Sequence, residues 1–493
     1  MKPTIEVAGV AVDARHLVGG ERTVGGEASF EVTSPIDGAV LGHVAAGGAP
    51  DVDRAVRAAR AAFPAWAALG PEGRGAILER FAQGILDRKH ELSAVETADN
   101  GSLLIANQKR IVDRAAHNVA FFAARARTLR HAPIHGHGAD NHVRYEPAGV
   151  AALITPWNAP LMLSTWKIGP ALAAGDTVVI KPPEWAPLSC SLLGEIAQQA
   201  GVPAGVLNVV QGLGPVAGQA LIEHRGVDRI SFTGSVATGR AVAAAAAAKV
   251  TPVSLELGGK SPFVVFADAD LDAAAATVAA QFGNAGQVCL AGTRVLVDAS
   301  IEADFRARVL KAAQAYAVGD PREKGVRVGP LIHPRQLERV AGFVERALAG
   351  GATALVGGAP HPRGGLYYQP TILAGVAQDS EIVQDEVFGP VLTWQVFASE
   401  AEAVALANGT AYGLAAMLYT RDAERAQRVA AAIVAGTVWV NCFFVRDLDA
   451  PFGGARSSGV GREGGAWSFD FFCDVKNVAI AHGSLRGAEP ARG

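Results

Sequence analysis

Val150-Ala151-Ala152-Leu153-Ile154 is an unbroken apolar run, followed at once by Thr155-Pro156-Trp157-Asn158. A strand with one wet face alternates apolar and polar residues. A run with no polar position is the mark of a strand buried on both faces. Asp176-Thr177-Val178-Val179-Ile180, Val206-Leu207-Asn208-Val209-Val210 and Arg229-Ile230-Ser231-Phe232 read the same way. Stretches of helical length separate them, one starting at Leu188 beyond Pro182-Pro183. Parallel strands need crossovers, usually helices, so this βα rhythm predicts a parallel sheet covered on both faces. The rhythm resumes at Pro262-Phe263-Val264-Val265-Phe266, with a helix capped from Asp268-Ala269-Asp270. The fold class expected is therefore α/β, with two doubly wound parallel-sheet lobes.

Elsewhere the pattern is looser. Residues up to about Gly48 alternate like strands between glycine turns. Pro50-Asp51-Val52-Asp53 opens a helix with Asp51 as its expected cap and Val52, Val56 and Ala59 on the buried side. Helical patterns cover residues 74–96 and 111–127. Residues 129–145 are rich in His, Gly and Pro and are expected to leave the body as a loop or hairpin. The alanine run 243–248 reads as a tightly packed helix.

Size and composition bound the rest. A single core stops growing at ~250–300 residues, so 493 residues imply two large lobes. Half the residues are hydrophobic and only 18% are charged, which excludes a disordered chain. A net charge of −3 leaves no electrostatic footprint for nucleic acid or an anionic membrane. The four cysteines lack CxxC spacing, and the twelve histidines form no HExxH, so no disulfide framework or metal site is expected. His131, His135, His137 and His142 are read as part of a polar loop. The start, Met-Lys-Pro-Thr-Ile-Glu, has no apolar signal core, and the apolar run 429–440 is too short to span a bilayer. A reducing cytoplasm suits the thiols.

The chemistry points to Phe282-Gly283-Asn284-Ala285-Gly286-Gln287-Val288-Cys289. A lone thiol is more often a packing residue than a catalytic one, and Cys190, Cys442 and Cys473 are read as ordinary core or near-surface thiols. Cys289 differs: small and polar neighbours leave open backbone and room for a substrate carbon. Upstream, Leu255-Glu256-Leu257-Gly258-Gly259-Lys260 sets a carboxylate among apolar residues, which disfavours its charge and raises its pKa toward the range of a general base. A thiol and such a base together point to covalent catalysis through a thioester.

Two segments bear on a cofactor. Phe232-Thr233-Gly234-Ser235 ends a strand and turns into a helix, an arrangement that suits a phosphate at the helix N-terminus. It is not GxGxxG. Lys181-Pro182-Pro183-Glu184 follows a strand where doubly wound sheets bind ligands. Glu184 there suits ribose hydroxyls and repels a 2′-phosphate, favouring NAD over NADP. The alternative is a solvated turn with an exposed ion pair.

Seven segments, in this order, resemble the aldehyde dehydrogenase superfamily over nearly the whole chain: Thr155-Pro-Trp-Asn158, Lys181-Pro-Pro-Glu184, Phe232-Thr-Gly-Ser235, Glu256-Leu-Gly-Gly-Lys260, Gly286-Gln-Val-Cys289, Glu386-Val-Phe388-Gly-Pro and Pro451-Phe-Gly-Gly454. The resemblance implies Cys289 as nucleophile, Glu256 as base, and the Asn158 amide with the Cys289 N–H as oxyanion hole. It implies Lys167 and Glu463 as a proton path. It places NAD against Thr155, Pro156, Trp157, Lys181, Glu184, Gly234, Ser235 and Leu257, with Glu386 on the nicotinamide ribose and Phe388 beside the ring. It implies an NAD-binding domain of residues 1–125 and 147–257 and a catalytic domain of 258–455. An oligomerisation arm and tail, 126–146 and 466–493, would build a homodimer or homotetramer.

The segments Trp439-Val-Asn-Cys-Phe-Phe-Val-Arg446-Asp447-Leu448 and Asn158-Ala-Pro-Leu-Met-Leu-Ser-Thr-Trp166 are similar to the hydroxymuconic, aminomuconic and carboxymethyl-hydroxymuconic semialdehyde dehydrogenases. That likeness implies a substrate with a carboxylate remote from the aldehyde. An arginine fork suits a carboxylate, and Arg446 and Arg114 are the candidates to receive it, with Phe452 as a further substrate-binding residue. Either arginine could instead serve in a surface or interdomain salt bridge. Asp449 departs from the basic or polar residue expected there. The alternatives are a broad-range dehydrogenase of neutral aldehydes and a cysteine-dependent esterase or thioesterase. The pair Glu386 and Phe388 argues against the latter.

Overall fold

The computed structural model describes residues 2–482 except 27, 130, 131 and 137. Five parallel strands form the centre of an eight-stranded sheet, in the spatial order Val253–Glu256, Arg229–Thr233, Val150–Ile154, Thr177–Lys181 and Leu207–Val209. Every residue of Val150–Ile154 and Thr177–Lys181 is buried. Successive residues point to opposite faces: Ala151 and Leu153 join one core, Val150, Ala152 and Ile154 the other. The missing alternation in sequence thus reflects two covered faces. His16–Val18 and Glu21–Thr23 extend one edge antiparallel, and Gly459–Val460 returns to pair with the other.

Chain order fixes where a ligand can enter. The parallel part of the sheet starts in its middle at Val150–Ile154, grows to Leu207–Val209, then reverses to place Arg229–Thr233 on the opposite flank. The crossover from Val150–Ile154 runs to one side of it and the crossover from Leu207–Val209 returns to the other, and this reversal of strand order opens a crevice at the C-terminal end of Val150–Ile154. Thr155-Pro156-Trp157-Asn158 occupies that end.

The second sheet has seven strands, in the order Thr353–Val356, Thr371–Ala374, Val391–Phe397, Arg294–Asp298, Pro262–Val265, Ala415–Tyr419 and Thr437–Val440. All pairs are parallel except the first. It too starts in the middle, at the wholly buried Pro262–Val265. The loops before its strands Arg294–Asp298 and Val391–Phe397 carry Cys289 and Glu386. They face the loops after the strands of the first sheet across one cleft.

A third, antiparallel sheet pairs Cys473–Ala481 with Ala139–Pro147 over nine residues and adds Ile134–His135. This is the hairpin expected within 129–145. His131 and His137 lie outside the described residues, while His135 Nδ1 sits 2.8 Å from Asp140 Oδ1. Among the described residues no group of three or more His, Cys, Asp or Glu side chains is placed to hold a metal. No helix there is long and apolar enough to cross a membrane. The run 429–440 divides between the end of helix Ala423–Ala432 and the strand Thr437–Val440.

Three local expectations are corrected. Helix Ala49–Ala68 begins two residues before Asp51, and Gly48 is its N-cap. Asp51 still closes the end, accepting the Gly48 N–H at 2.9 Å from the third helical position. The pattern over 74–96 is two helices, Gly70–Asp87 and Lys89–Asn100, broken at Arg88. The alanine run is not tightly packed: in helix Val236–Ala247 only Gly239, Val242 and Ala246 are buried. Alanine favours the helix on propensity alone, so the run says little about burial.

Candidate active site

The segment before Cys289 is strained. Asn284, Ala285 and Gly286 have φ of 52°, 53° and 68°, three left-handed residues in succession. At Gly286 no side chain fits, since a Cβ would lie 2.0 Å from the Gly389 carbonyl oxygen. Such strain persists only where surroundings enforce it. Buried Phe282 and Leu290 anchor the two ends. Gln287 ties the turn internally, donating to Asn284 O at 3.1 Å and accepting the Ile332 N–H at 3.0 Å.

Asn158 locks onto this turn from the first sheet. Its Nδ2 donates to Gln287 O at 2.9 Å, and its carbonyl accepts from Asn284 Nδ2 at 3.0 Å. One amide N–H is thereby engaged and the second is left for the cleft, where the side chain lies. Cys289 is half-buried and lines the same cleft. Burial, with the carboxyls of Glu386 and Glu256 adding to it, pushes its thiol up to about 12, against the pull of Arg446. Cys190 and Cys473 are buried and Cys442 half-buried, as read.

Glu256 ends the strand Val253–Glu256 with 5% exposure, and neither carboxyl oxygen has a hydrogen-bond partner among the described residues. Burial, then the charge of Glu463, holds its pKa well above the carboxylate range. Lys167, Arg446 and Arg462 oppose this without prevailing. Glu463 is the opposite case. Its Oε1 accepts from Lys167 Nζ at 2.8 Å and from Ser231 and Ser254 at 3.2 Å each, and its Oε2 accepts the Trp166 indole N–H. Burial raises its pKa, but Lys167 and these hydrogen bonds outweigh it and bring the group below its ordinary value. Two buried carboxyls in one site are thus driven apart, one toward the neutral form and one toward the anion.

Arg446 comes from the segment after strand Thr437–Val440. Its guanidinium carbon lies 4.3 Å from the centre of the Trp166 ring and 3.7 Å from that of Phe452. Its Nε and Nη2 are buried without partners, and among the described residues it forms no ion pair. Burial, with Arg114 adding, brings it down to about 10. Arg114 also lines the cleft. It donates to Asn118 Oδ1 at 3.1 Å and to the Arg446 carbonyl at 3.4 Å, so it supports the backbone that presents Arg446. The departing Asp449 pairs with Arg125 at 3.2 Å and does not line the cleft.

On the other side of the cleft, Glu386 Oε1 accepts the Gly259 N–H at 2.9 Å. A Cβ at Gly258 would lie 2.1 Å from its Oε2. Burial raises Glu386 to about 7. Phe388, at φ 58°, meets Trp157 edge to face at 5.2 Å, and Gln336 holds its carbonyl at 2.7 Å. Ser235 caps helix Val236–Ala247 by accepting the Thr238 N–H at 3.2 Å.

The cleft, about 1330 Å³, brings together Cys289, Glu256, Asn158, Glu463, Arg446, Arg114 and Phe452, and also Pro156, Trp157, Gly234, Ser235, Leu257, Glu386 and Phe388. It does not reach Thr155, Lys167, Lys181 or Glu184. Thr155 and Lys167 are buried behind it. Lys181 and Glu184 form a pair at 2.8 Å with the lysine 2% exposed, so this is not the exposed turn. Sequence reasoning missed Trp166, Arg462, Ser231 and Ser254. The only signal was a tryptophan adjoining the matched Lys167.

The model of the aldehyde dehydrogenase family matches residues 23–478. A 2-hydroxymuconic semialdehyde dehydrogenase of Pseudomonas putida is 43% identical over 95% of this chain and 99% of its own length. A 2-aminomuconic semialdehyde dehydrogenase of Danio rerio is 41% identical over 91% and 94%. The crystal structure of an indole-3-acetaldehyde dehydrogenase complexed with NAD+ is 38% identical and superposes with a TM-score of 0.94, over 96% of this chain and 97% of the other. The chain belongs to the aldehyde dehydrogenase family.

Proposed function

We propose that this enzyme uses NAD to oxidise an aldehyde carrying a remote carboxylate, a muconic-type semialdehyde, through a covalent intermediate on Cys289. The observation that carries the substrate class is Arg446. Two of its guanidinium-side nitrogens are buried without a hydrogen-bond partner, and it forms no ion pair among the described residues, in the same cleft as the thiol. A cation left so is costly unless a ligand completes it. The muconic semialdehyde dehydrogenases among the relatives support the same class.

The cleft fits NAD. Gly258 leaves room only for the Glu386 carboxylate, and Gly234, Ser235 and the N-terminus of helix Val236–Ala247 form an anion-binding end on the same wall. Glu386 would hold the nicotinamide ribose, with Phe388 beside the ring. Lys181 and Glu184 would hold the adenosine side from behind the wall, and Glu184 would disfavour a 2′-phosphate. Bound NAD supplies the acceptor for the hydride that leaves the substrate carbon.

The chain supplies the remainder. The Cys289 thiol gives its proton to solvent, the thiolate sulfur adds to the aldehyde carbon, and the oxyanion forms against the second N–H of Asn158 and the Cys289 N–H. Loss of hydride leaves a thioacyl group. Glu256 then takes a proton from water, the water oxygen adds to the thioacyl carbon, and the carbon–sulfur bond breaks. The acid departs and sulfur keeps the electron pair. Lys167 and Glu463 carry the proton away from Glu256. Covalent capture divides one hard oxidation into two easier steps.

The test is NADH formation across aldehydes with and without a remote carboxylate, run with NAD and NADP. A clear preference for the carboxylated aldehydes with NAD is expected. Equal kcat/KM for neutral ones would return the enzyme to the broad-range class, and acyl-ester hydrolysis as its main NAD-free activity would favour the esterase reading. The strand Cys473–Ala481 lies at a sheet edge with Val475 and Ile480 exposed, which supports a dimer or tetramer; light scattering at micromolar concentration checks it.

A further inference from the structure

Trp166 stands between two parts of the site that the proposed chemistry treats separately. Its ring face lies against Arg446 at 4.3 Å. Its indole Nε1 donates to Oε2 of Glu463. Phe452, on the other face of Arg446, is bound to the same acid: the backbone N–H and C=O of Phe452 and Glu463 pair in both directions at 2.7 Å. Both walls of the arginine's slot are therefore fastened to Glu463. Trp166 is 4% exposed, and the Phe122 ring packs 5.5 Å away, so the indole is held in place.

The two oxygens of Glu463 are not equivalent. Oε1 has three donors, Lys167, Ser231 and Ser254; Oε2 has Trp166. Without that N–H, a buried carboxylate oxygen loses its one donor among the described residues, and the anion is disfavoured. The charged and titratable groups around this acid come from several elements: Lys167 from helix Pro160–Ala174, Glu256 from its strand, Arg446 from the segment after Thr437–Val440, and Arg462 beside it, with Cys289 across the cleft.

We propose that Trp166 is a positioning residue that couples the carboxylate-binding arginine to the proton relay, its ring setting the plane of Arg446 and its N–H setting Glu463 as an anion. The ring half rests on the reading of Arg446 as the carboxylate receptor; the N–H half does not. Seating a substrate tail and hydrolysing its acyl group then share one side chain.

The test separates the halves. Trp166→Phe keeps a ring against Arg446 and removes the N–H. The KM for a carboxylated semialdehyde should stay within about threefold, while an NADH burst appears and steady turnover falls about tenfold or more, with a neutral aldehyde as well. The rising limb of the deacylation pH profile should move to lower pH, because a Glu463 whose anion is less favoured raises Glu256 less. A merely structural role would not move it so. Phe452→Leu removes one ring face and keeps the backbone pairing. It should raise the KM for the carboxylated aldehyde about three- to thirtyfold and give no burst. A Trp166→Phe enzyme without a burst, or with the KM change of Phe452→Leu, overturns the coupling. A Phe452→Leu enzyme that loses equally on neutral and carboxylated aldehydes overturns the carboxylate reading of Arg446 and the ring half with it, while the Trp166→Phe burst still reports on the relay.

Discussion

Replacing Arg446 gives the sharpest reading of substrate choice. Its guanidinium is held between Trp166 and Phe452 and offers Nε and Nη2 to whatever enters. Losing the partner of a buried, hydrogen-bonded charge costs ~2–5 kcal/mol. At about 1.4 kcal/mol per factor of ten, that is roughly 30-fold to several thousand-fold in kcat/KM. The residue is half-buried, which favours the lower part of the range, ~10²-fold. Arg446→Ala also removes two cation–π contacts, ~0.5–2 kcal/mol, but that loss falls on every substrate alike. The decisive quantity is therefore the ratio of the losses for a carboxylated semialdehyde and a neutral aldehyde of similar length, read from initial rates of NADH formation. Arg446→Met keeps the bulk and drops the charge. Since Arg446 forms no ion pair among the described residues, this variant should match or exceed the wild-type Tm. Equal losses for both aldehydes, with a lower Tm, would make Arg446 structural and refute the reasoning. Little loss for either would leave the carboxylate without a receptor.

Other expectations follow from the same geometry. Without NAD, burial holds the Cys289 thiol at about 12, so its alkylation by iodoacetamide should climb with pH through the alkaline range, the thiolate being the reactive form; a plateau near neutrality would contradict this. The deacylation rate should rise with pH through a pKa above the carboxylate range, because the raised Glu256 must lose its proton to act as a base, and Glu256→Gln should erase that limb in single-turnover measurements. Gly258→Ala meets no backbone barrier, since its φ is outside the left-handed region, but its Cβ must displace Glu386. Displacing a charged hydrogen-bonding group should raise the KM for NAD about tenfold or more while Cys289 alkylates normally; an unchanged KM would remove Glu386 from the cofactor site.

Much of this architecture was legible because burial on two faces erases alternation. Val150–Ile154 and Pro262–Val265 could be read as buried strands from composition alone, and each begins the parallel part of its sheet in the middle. Asp270 was legible as a cap, and it accepts the Ala273 N–H at 3.1 Å. Residues whose meaning depends on distant partners were not legible. Trp166 and Phe452 meet on Arg446 from two lobes, and nothing local in either marks that slot. The left-handed turn at Asn284 and Ala285 was hidden because neither residue requires positive φ; contacts with Asn158 and Gln287 impose it. For Lys181 and Glu184 a solvated turn stayed open beside the cofactor reading, because the sequence does not show what covers them.

The central claim is that oxidation passes through an acyl group on Cys289 that Glu256 releases. Glu256→Gln keeps the shape of the base and removes its proton affinity, a change that costs ~10²–10⁴-fold. Mixed with NAD and aldehyde, this variant should give a burst of about one NADH per active site. Intact-protein mass spectrometry should then find the substrate's acyl mass, mapped by digestion to Cys289. Steady turnover near the wild-type rate, with no adduct on Cys289, would contradict the account.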